Sequence, residues 1–413
     1  MRLLFVSYNG TSDPLLHTQG VVYLERLPQR GVGVHLLTYE RPHGVPQGER
    51  AARVHVRTEF ARRGIIWHDV RYHKWPPILS TCWDIMRGWL AVWNVIRRYH
   101  IDVVHARGAI PAAIVAPVAW VTGTRWLFDL RGLVAEEYVD GGLWPRGGIV
   151  HRVVRGVERW LLHQARAVVV LTERAAEILR QNPVWRLREG VVPCVIPCCV
   201  DVDRFAQATA SPEEARRLEA STGRPVLVYV GSLGTWYLFE EMVEFFQHVV
   251  AKHPEAQFLV VAPAIYHAQA YQAIRRFPGL SSQVGVRATS PEGVPHYLAA
   301  AHVGLSFIKP TFSKQFSSPT KIGEYLASGI PVVVNRGVGD LDRFVRQHQV
   351  GVVLPSFEPS SYQHGVTELF DLLADPSLPE RCRQTAREHL SITVGRQRYW
   401  DVYQRLINGV EQS

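Results

Sequence analysis

The sequence contains little cysteine, and the cysteines present do not form a recognisable framework. Five cysteines among 413 residues are few and odd in number, which argues against a disulfide-stabilised scaffold and favours a reducing compartment. Cys194, Cys198 and Cys199 lie close together, but no cysteine or histidine pair nearby completes the spacing of a zinc site. We therefore expect buried small side chains at this point and no bound metal.

The sequence also lacks a long hydrophobic run. Its longest apolar stretches, such as "GAIPAAIVAPVAWVTG", contain prolines and fall short of the roughly 18 apolar residues of a membrane-spanning helix. The first residues, "MRLLFVSYNG", are too short an apolar run for a signal peptide and predict a first β-strand. We expect a soluble, cytoplasmic protein whose only membrane contact is peripheral.

Two motifs that would assign a cofactor or a metal are incomplete. The G-V-G sequences at 31–33 and 337–339 never extend to G-x-G-x-x-G behind a strand, so a nicotinamide-dependent dehydrogenase loses its main support. Asp201 and Asp203 have the D-x-D spacing of some metal sites, but they precede Arg204 in a turn-rich stretch. Turn and cap chemistry is the favoured interpretation of this pair.

Acidic residues are scarce only in the first half of the chain. The net charge is +9, with 26 Lys+Arg against 16 Asp+Glu in residues 1–200 and 20 against 21 in the remainder. A basic half of this kind can bind nucleic acid, an anionic membrane surface or a phosphorylated substrate. No nucleic-acid recognition motif or basic-aromatic platform is present, so we expect no nucleic-acid partner.

One helical segment of the basic half is amphipathic. Residues 147–165 carry Arg152, Arg155 and Arg159 beside apolar residues such as Val153 and Trp160. A basic amphipathic helix can lie on a membrane surface, although a solvated helix packed on its own sheet is the commoner case. A peripheral membrane contact through the N-terminal domain is therefore one expectation.

Strand-like runs alternate with helix-like segments, and this rhythm occurs twice. "RLLFVSY", "VHLLTYE", "IDVVHAR", "RWLFDLR" and "AVVVLT" come before a turn-rich, charged break, and "PVLVYVGS", "AQFLVVAP", "QVGVRA", "HVGLSFI", "PVVVN" and "GVVLP" follow it. The pattern predicts an α/β fold of two doubly wound parallel sheets. We expect domains at 1–205 and 206–390, facing each other across a cleft, and a final helix at 391–413 that packs back toward the first domain.

Open α/β sheets bind ligands at the carboxyl ends of their strands, so residues that follow the strands are candidates. Gly10 and Gly20 lie in the loop after the first strand and are candidates for donor binding, since backbone amides there can approach an anion or a sugar unless the loop is merely surface. Asp129 and Arg131 end the strand in "FDLRG". A catalytic pair and a structural salt bridge are equally compatible with that pattern.

The second half offers two further strand ends. Ser232 and Thr235 in "VGSLGTWY" can approach a phosphate, although a tight strand-to-helix turn has the same sequence. In "SSPTKIGEYLASGIPVVV", Ser318 suits an N-cap and the helix ends at a glycine before a buried strand. Lys321 and Glu324 then lie on the first turns, beside a helix end that attracts anions.

These segments together resemble glycosyltransferase family four. "SSPTKIGEYLASGIPVVVN" is similar to the family signature, and "VIPCCVDVDRF", "VYVGSL", "EGVPHYLAAAHVGLSFI" and "GVGDLDRFV" match flanking family segments along nearly the whole chain. The resemblance implies the GT-B architecture of two Rossmann-like domains. It also implies a nucleotide-sugar donor in the C-terminal domain and a retaining reaction with no metal or other cofactor.

The resemblance assigns roles and also shows departures. Glu324 matches the second glutamate of the family's E-x7-E motif, which holds the donor ribose, and Lys321 and Ser318 then lie close to the donor. The first glutamate falls at 316, which is Phe316 here, so the usual contact with the transferred sugar is missing or supplied elsewhere.

The usual arginine and lysine after the first strand of the second domain are also absent. The turn contains Ser232 and Thr235 in their place. Lys321, Lys314, Lys309 and Arg131 are the candidates to neutralise the donor diphosphate. Where many family members have a histidine at the N-domain strand end, "DLRG" supplies Asp129 and Arg131 in that role.

The expected activity is sugar transfer from a nucleotide-diphosphate sugar to a glycan, lipid-linked or small-molecule acceptor in polysaccharide or other glycoconjugate biosynthesis. Two alternatives stay open. One is a nucleotide-sugar epimerase of the same architecture, which needs no acceptor. The other is a non-catalytic sugar-nucleotide binder or assembly subunit, which the missing glutamate and basic residues favour.

Overall fold

The computed structural model describes residues 1–41, 46–73, 75–210 and 225–409. The chain divides into two compact units, Met1–Pro197 with Gly395–Ser413 and Cys198–Val394. Most of the charged break that the sequence predicts between the domains, residues 211–224, lies outside the described residues.

The first unit is built on a seven-stranded parallel sheet in the order β3-β2-β1-β4-β5-β6-β7. Its strands are β1 Arg2–Ser7, β2 Gly33–Glu40, β3 Ile65–Arg71, β4 Val103–Arg107, β5 Arg125–Asp129, β6 Ala167–Val170 and β7 Cys194–Val195. The chain moves outward from β1 on both sides, which is the doubly wound topology that the sequence predicts.

The helices of the first unit connect these parallel strands. Short helical turns form Pro14–Leu16, His17–Val21, Val22–Leu24 and Pro28–Arg30, and the longer helices are Pro46–Arg62, Pro77–Tyr99, Ala109–Thr122, Val134–Asp140, Ile149–Gln164 and Glu173–Gln181. The last helix of the chain, Ile392–Asn408, contributes its residues from Gly395 onward to this unit.

The second unit contains a six-stranded parallel sheet in the order β10-β9-β8-β11-β12-β13. Its strands are β8 Val226–Val230, β9 Gln257–Val261, β10 Val284–Arg287, β11 Val303–Ser306, β12 Val332–Asn335 and β13 Gly351–Leu354. Its helical segments are Val202–Ala206, Phe239–Lys252, Ala264–Tyr266, His267–Ile274, Val294–Leu298, Ser313–Phe316, Thr320–Ala327, Leu341–His348, Pro359–Leu373, Leu378–Thr385 and Ala386–Leu390.

The strands that the sequence predicts from apolar runs are buried on both faces. Every residue of β8 and β12 is buried, as expected for parallel strands covered by helices on each side. Apolar side chains from the two faces of the second sheet belong to two separate core clusters. The predicted α/β fold with two doubly wound parallel sheets is therefore confirmed.

Three local predictions differ from the structure. Strand β3 was not predicted, since its outer position leaves several of its side chains partly or fully exposed. Residues 198–205, which the sequence pattern assigns to the first domain, group with the second unit because Val200, Val202 and Phe205 pack into its core. The N-cap expected at Ser318 lies at Pro319 instead.

The D-x-D pair has the structural role that the sequence favoured. Asp201 is the N-cap of the helix Val202–Ala206, and its side chain accepts a hydrogen bond from the Arg204 amide at 3.2 Å.

Within the described part of the chain, no helix is long and apolar enough to cross a membrane.

Candidate active site

One group of candidate residues lies in the second unit, at the start of the helix Thr320–Ala327. The helix follows an extended Pro319, and Gly329 at φ +81° adopts the left-handed conformation that ends it. Ser318 does not cap this helix, since its Oγ accepts a hydrogen bond from the Cys198 amide at 3.2 Å. Lys321 and Glu324 lie on the first and second turns.

Lys321 is a buried cation in an aromatic setting. Its Nζ lies 4.1 Å from the ring centroid of Tyr229 and 3.7 Å from that of Tyr237. This nitrogen has no hydrogen-bond partner among the described residues. Burial lowers the pKa of the Lys321 ammonium to about 7, while the Glu324 carboxylate acts in the opposite direction. An unsatisfied buried cation of this kind is suited to receive an anionic ligand.

Glu324 is the charged neighbour of Lys321. Burial raises the pKa of the Glu324 carboxyl, and the positive charges of Lys321 and Arg204 partly oppose that shift. The pair thus combines a cation of lowered pKa with a carboxyl of raised pKa at one helix start. Such opposed shifts are frequent at functional sites.

The turn after β8 brings backbone close to Lys321. Gly231 has φ +131°, and a Cβ atom there would lie 3.1 Å from Lys321 Nζ. Any side chain at this position would therefore crowd the ammonium group. Ser232 is partly exposed and its carbonyl accepts a hydrogen bond from the Tyr229 hydroxyl at 2.6 Å, while Thr235 is exposed on the same turn.

The residues around position 316 replace a carboxylate by aromatic groups. Phe316 is buried and contacts Phe312 edge-on, with ring centroids 6.0 Å apart. Lys314 is also buried, and its Nζ lies 3.9 Å from the ring centroid of Trp236. Lys309 is exposed on the preceding loop. Two of the three lysines proposed for diphosphate binding are thus buried against aromatic rings, a feature that spacing alone did not reveal.

A separate group of candidate residues lies in the first unit, at the carboxyl end of β5. Asp129 is buried, and its Oδ1 lies 3.4 Å from a terminal nitrogen of Arg131. Burial alone would raise the pKa of the Asp129 carboxyl, but the charge of Arg131 and a hydrogen bond from His105 lower it well below its usual range. Asp129 is therefore ionised at neutral pH.

Two side chains that the sequence did not indicate contact Asp129, and a third contacts one of them. Its Oδ2 lies 3.1 Å from the Tyr399 hydroxyl and 3.2 Å from His105 Nε2. Because a carboxylate only accepts hydrogen bonds, His105 Nε2 carries the proton, and Nδ1 accepts from the Tyr403 hydroxyl at 2.7 Å. Asp129 is thus occupied by protein donors, whereas the Arg131 side chain stays partly exposed.

The loop after β1 forms a small cavity at the carboxyl ends of β1, β2 and β3. The cavity has a volume of about 320 Å³ and is lined by Tyr8, Asn9, Gly10, Ser12, Asp13, Pro14, Tyr39, Arg41 and Tyr72. A Cβ atom at Gly10 would lie 2.6 Å from the Tyr39 carbonyl oxygen, so only glycine fits. Gly20 does not line this cavity; it is buried in the helical turn His17–Val21.

Sequence models of two domains match the chain. Residues 22–194 match the glycosyl transferase 4-like domain, and residues 224–371 match the glycosyl transferases group 1 domain. Together the two matches cover more than three quarters of the chain. The chain belongs to glycosyltransferase family four. The resemblance that the signature segment suggested is therefore confirmed.

A curated relative of this family-four chain is the 2-deoxystreptamine N-acetyl-D-glucosaminyltransferase of Streptomyces fradiae. The two are 27% identical over 285 residues, which make up 68% of this chain and 61% of the relative. The match thus spans about three fifths of the length of that relative.

Solved structures of low sequence identity share the fold. Sucrose-phosphate synthase of Thermosynechococcus elongatus has a TM-score of 0.74 at 16% identity, covering 99% of this chain and all of that one. Anabaena HepE in complex with UDP has a TM-score of 0.69 at 13% identity, covering 98% of this chain and all of that one. The predicted GT-B architecture is confirmed.

Proposed function

We propose that this family-four protein is a retaining, metal-independent glycosyltransferase. It moves a sugar from a nucleoside-diphosphate sugar to an acceptor hydroxyl in polysaccharide or other glycoconjugate biosynthesis, at the cytoplasmic face of a membrane. The observation that carries this proposal is the unpaired, buried Lys321 ammonium beside Gly231 and Glu324. HepE, which shares the fold, binds UDP, and this supports a nucleotide as the ligand.

Lys321 has the properties that the departing diphosphate requires. Negative charge develops on the leaving phosphate as the sugar–phosphate bond breaks, and a fixed cation in a water-poor setting stabilises that charge strongly. The attacking hydroxyl approaches from the face of the leaving diphosphate, so configuration is retained. The leaving phosphate takes the hydroxyl proton, so the step needs neither a metal nor a side-chain base.

Glu324 holds the donor ribose in this proposal. Burial raises the pKa of the Glu324 carboxyl, and its oxygens can accept hydrogen bonds from the ribose hydroxyls. Phe316 cannot supply the usual carboxylate contact to the transferred sugar. The Lys314 ammonium lies against the Trp236 ring. We assign Lys314 to the donor diphosphate and Trp236 to the face of the transferred sugar.

The acceptor binds to the first unit. We assign to it the cavity beside Gly10, a residue that the sequence suggested for the donor, and the partly exposed Arg131. Asp129 positions the Arg131 guanidinium, which lies 3.4 Å from its Oδ1, while His105 and Tyr399 hold its Oδ2. The arginine excess of the N-terminal half supports peripheral contact with an anionic membrane surface.

A non-catalytic sugar-nucleotide binder is the second candidate. Phe316 in place of the first motif glutamate favours it, because a buried phenylalanine removes a contact to the transferred sugar. This candidate predicts nucleotide binding without turnover. It shares the Lys321 and Glu324 site with the first proposal.

The test is a thermal-shift screen of the purified protein against UDP, GDP, ADP, CMP, dTDP and their common sugar conjugates. One nucleotide should raise the apparent melting temperature, since a ligand that binds only the folded state stabilises it by mass action. The shift should disappear in a Glu324→Ala variant and persist in an exposed control, Glu255→Ala. No shift with any nucleotide would contradict a donor site at this helix.

A further inference from the structure

The first unit exposes many large apolar side chains. In the described part of the chain, all exposed large apolar residues except Ile265 and Tyr271 belong to this unit. Most of them lie on three helices, Pro77–Tyr99, Ala109–Thr122 and Ile149–Gln164. They are Leu79, Trp83, Met86, Trp89, Leu90, Trp93, Trp120, Val121, Ile149, Val150, Val153, Val157 and Trp160. Many exposed apolar side chains of this size mark an interaction site where they share one surface.

The exposed residues follow the helical repeat. On Pro77–Tyr99 a stripe of side chains that are 37–69% exposed recurs every three or four residues, and consists of Leu79, Trp83, Met86, Leu90 and Trp93. This spacing places them along one side of the helix over about 21 Å. Ile149, Val153, Val157 and Trp160 form a second stripe on their helix.

The three helices form one layer. The Trp89 indole donates a hydrogen bond to the Ala113 carbonyl at 3.1 Å. A Cβ atom at Gly88 would lie 2.8 Å from Ile114, so these two helices approach closely. The helix Ala109–Thr122 in turn contacts Ile149–Gln164. The two apolar stripes and the exposed Trp120 therefore belong to one surface, called here the three-helix face.

The exposed charges of the three helices have one sign. Arg87, Arg97, Arg98, Arg152 and Arg159 are exposed, and none forms an ion pair within the described residues. The helices contain two carboxylates, and both are buried and engaged within the protein. Asp84 accepts from the Tyr8 hydroxyl at 2.9 Å, and Glu158 accepts from the Val134 amide at 2.6 Å.

We propose that the three-helix face docks on an anionic lipid membrane. Tryptophan and aliphatic side chains enter the boundary between headgroups and acyl chains, while the unpaired arginines meet lipid phosphates. The inference deepens the peripheral contact proposed above and identifies its surface. The sequence suggested a membrane contact through one basic helix. The structure adds exposed apolar side chains on three adjacent helices, and the proposal rests on these.

The charges favour a membrane over a second copy of the chain. A two-fold interface through the three-helix face would bring its five exposed arginines together without any acidic partner from the same helices. Like charges brought together in this way destabilise an interface. An anionic bilayer compensates all of them at once, and its apolar interior accepts the stripes.

The experiment is flotation of the purified full-length protein with lipid vesicles. We expect the protein to float with vesicles rich in phosphatidylglycerol at low ionic strength. It should bind much less to pure phosphatidylcholine, and high salt should weaken binding to the anionic vesicles. A Trp83→Ser, Leu90→Ser, Val153→Ser variant should lose about tenfold or more in vesicle affinity, a change of about 1.4 kcal/mol.

The matched control is Ile265→Ser with Tyr271→Ser, the exposed apolar residues of the other unit, which should bind vesicles like wild type. Nucleotide-induced thermal shifts measured on every variant separate this inference from the proposed function. Retained nucleotide binding without vesicle binding would overturn the docking surface alone. Dimers in solution that the triple variant abolishes would show an interface between copies, and would also overturn it.

Discussion

The surroundings of Lys321 act on its pKa in two opposite directions. Burial against Tyr229 and Tyr237 weakens its hold on a proton, yet those rings and the Glu324 carboxylate favour the charged form. The balance places its pKa at about 7. Small changes in the neighbouring charge, such as the arrival of a diphosphate, can then change its protonation.

We predict that affinity for the intact nucleotide sugar falls as the pH rises above about 7. In the free protein Lys321 is charged below its pKa and neutral above it, and a diphosphate diester, which does not itself titrate in this range, favours the charged form. The affinity should therefore be greatest below pH 7 and decrease by up to tenfold per pH unit above it.

Isothermal titration of wild type and of Lys321→Arg across this range measures the effect. Arginine stays protonated, so the variant should bind with an affinity that changes little with pH. Identical pH profiles for the two proteins would show that another group controls the dependence.

The last helix of the chain completes a buried network at the end of β5. Tyr399 and Tyr403 are four residues apart on Ile392–Asn408 and reach Asp129 and His105 respectively. Burial lowers the pKa of the His105 imidazole, which is consistent with a neutral ring that donates to Asp129 and accepts from Tyr403. The C-terminal helix thereby holds the carboxylate that positions Arg131.

Removing either hydroxyl should destabilise the first unit. We expect Tyr403→Phe to lower the free energy of unfolding by about 1–2 kcal/mol, because His105 Nδ1 is left buried without a donor. Tyr399→Phe should cost about 1.5–3 kcal/mol, since it removes a hydrogen bond to a charged group.

Urea unfolding monitored by tryptophan fluorescence gives these values. Tyr271→Phe on the exposed surface is the control for the loss of a hydroxyl. If all three variants unfolded at the same urea concentration as wild type, the network would have no stabilising role.

Patterns within single elements predicted most of the fold, and contacts between distant elements account for what was missed. Apolar runs identified β8 and β12 because both are fully buried, whereas the partly exposed β3 carries no such signal. The Thr320–Ala327 helix and its glycine end were predicted from local rules. Tyr399 lies 270 residues from Asp129, and no spacing rule in one sequence connects residues so far apart.

The two units differ in surface character as well as in sequence. The first carries the arginine excess and nearly all exposed large apolar side chains, and the second carries the buried lysines beside the turn after β8. This distribution is the one expected from the proposed division of roles, in which the second unit binds the nucleotide and the first contacts the acceptor and the membrane. The match to the two glycosyl transferase domains supports that proposal.

The most direct test of that account is acceptor-dependent release of nucleoside diphosphate. Purified protein is incubated with the nucleotide sugar that gives the largest thermal shift, and with lipid-linked, glycan and small-molecule acceptors. The account predicts release of nucleoside diphosphate with wild type that depends on an acceptor and is lost in Glu324→Ala. Donor binding without release, or conversion of the donor sugar with the diphosphate still attached, would contradict it.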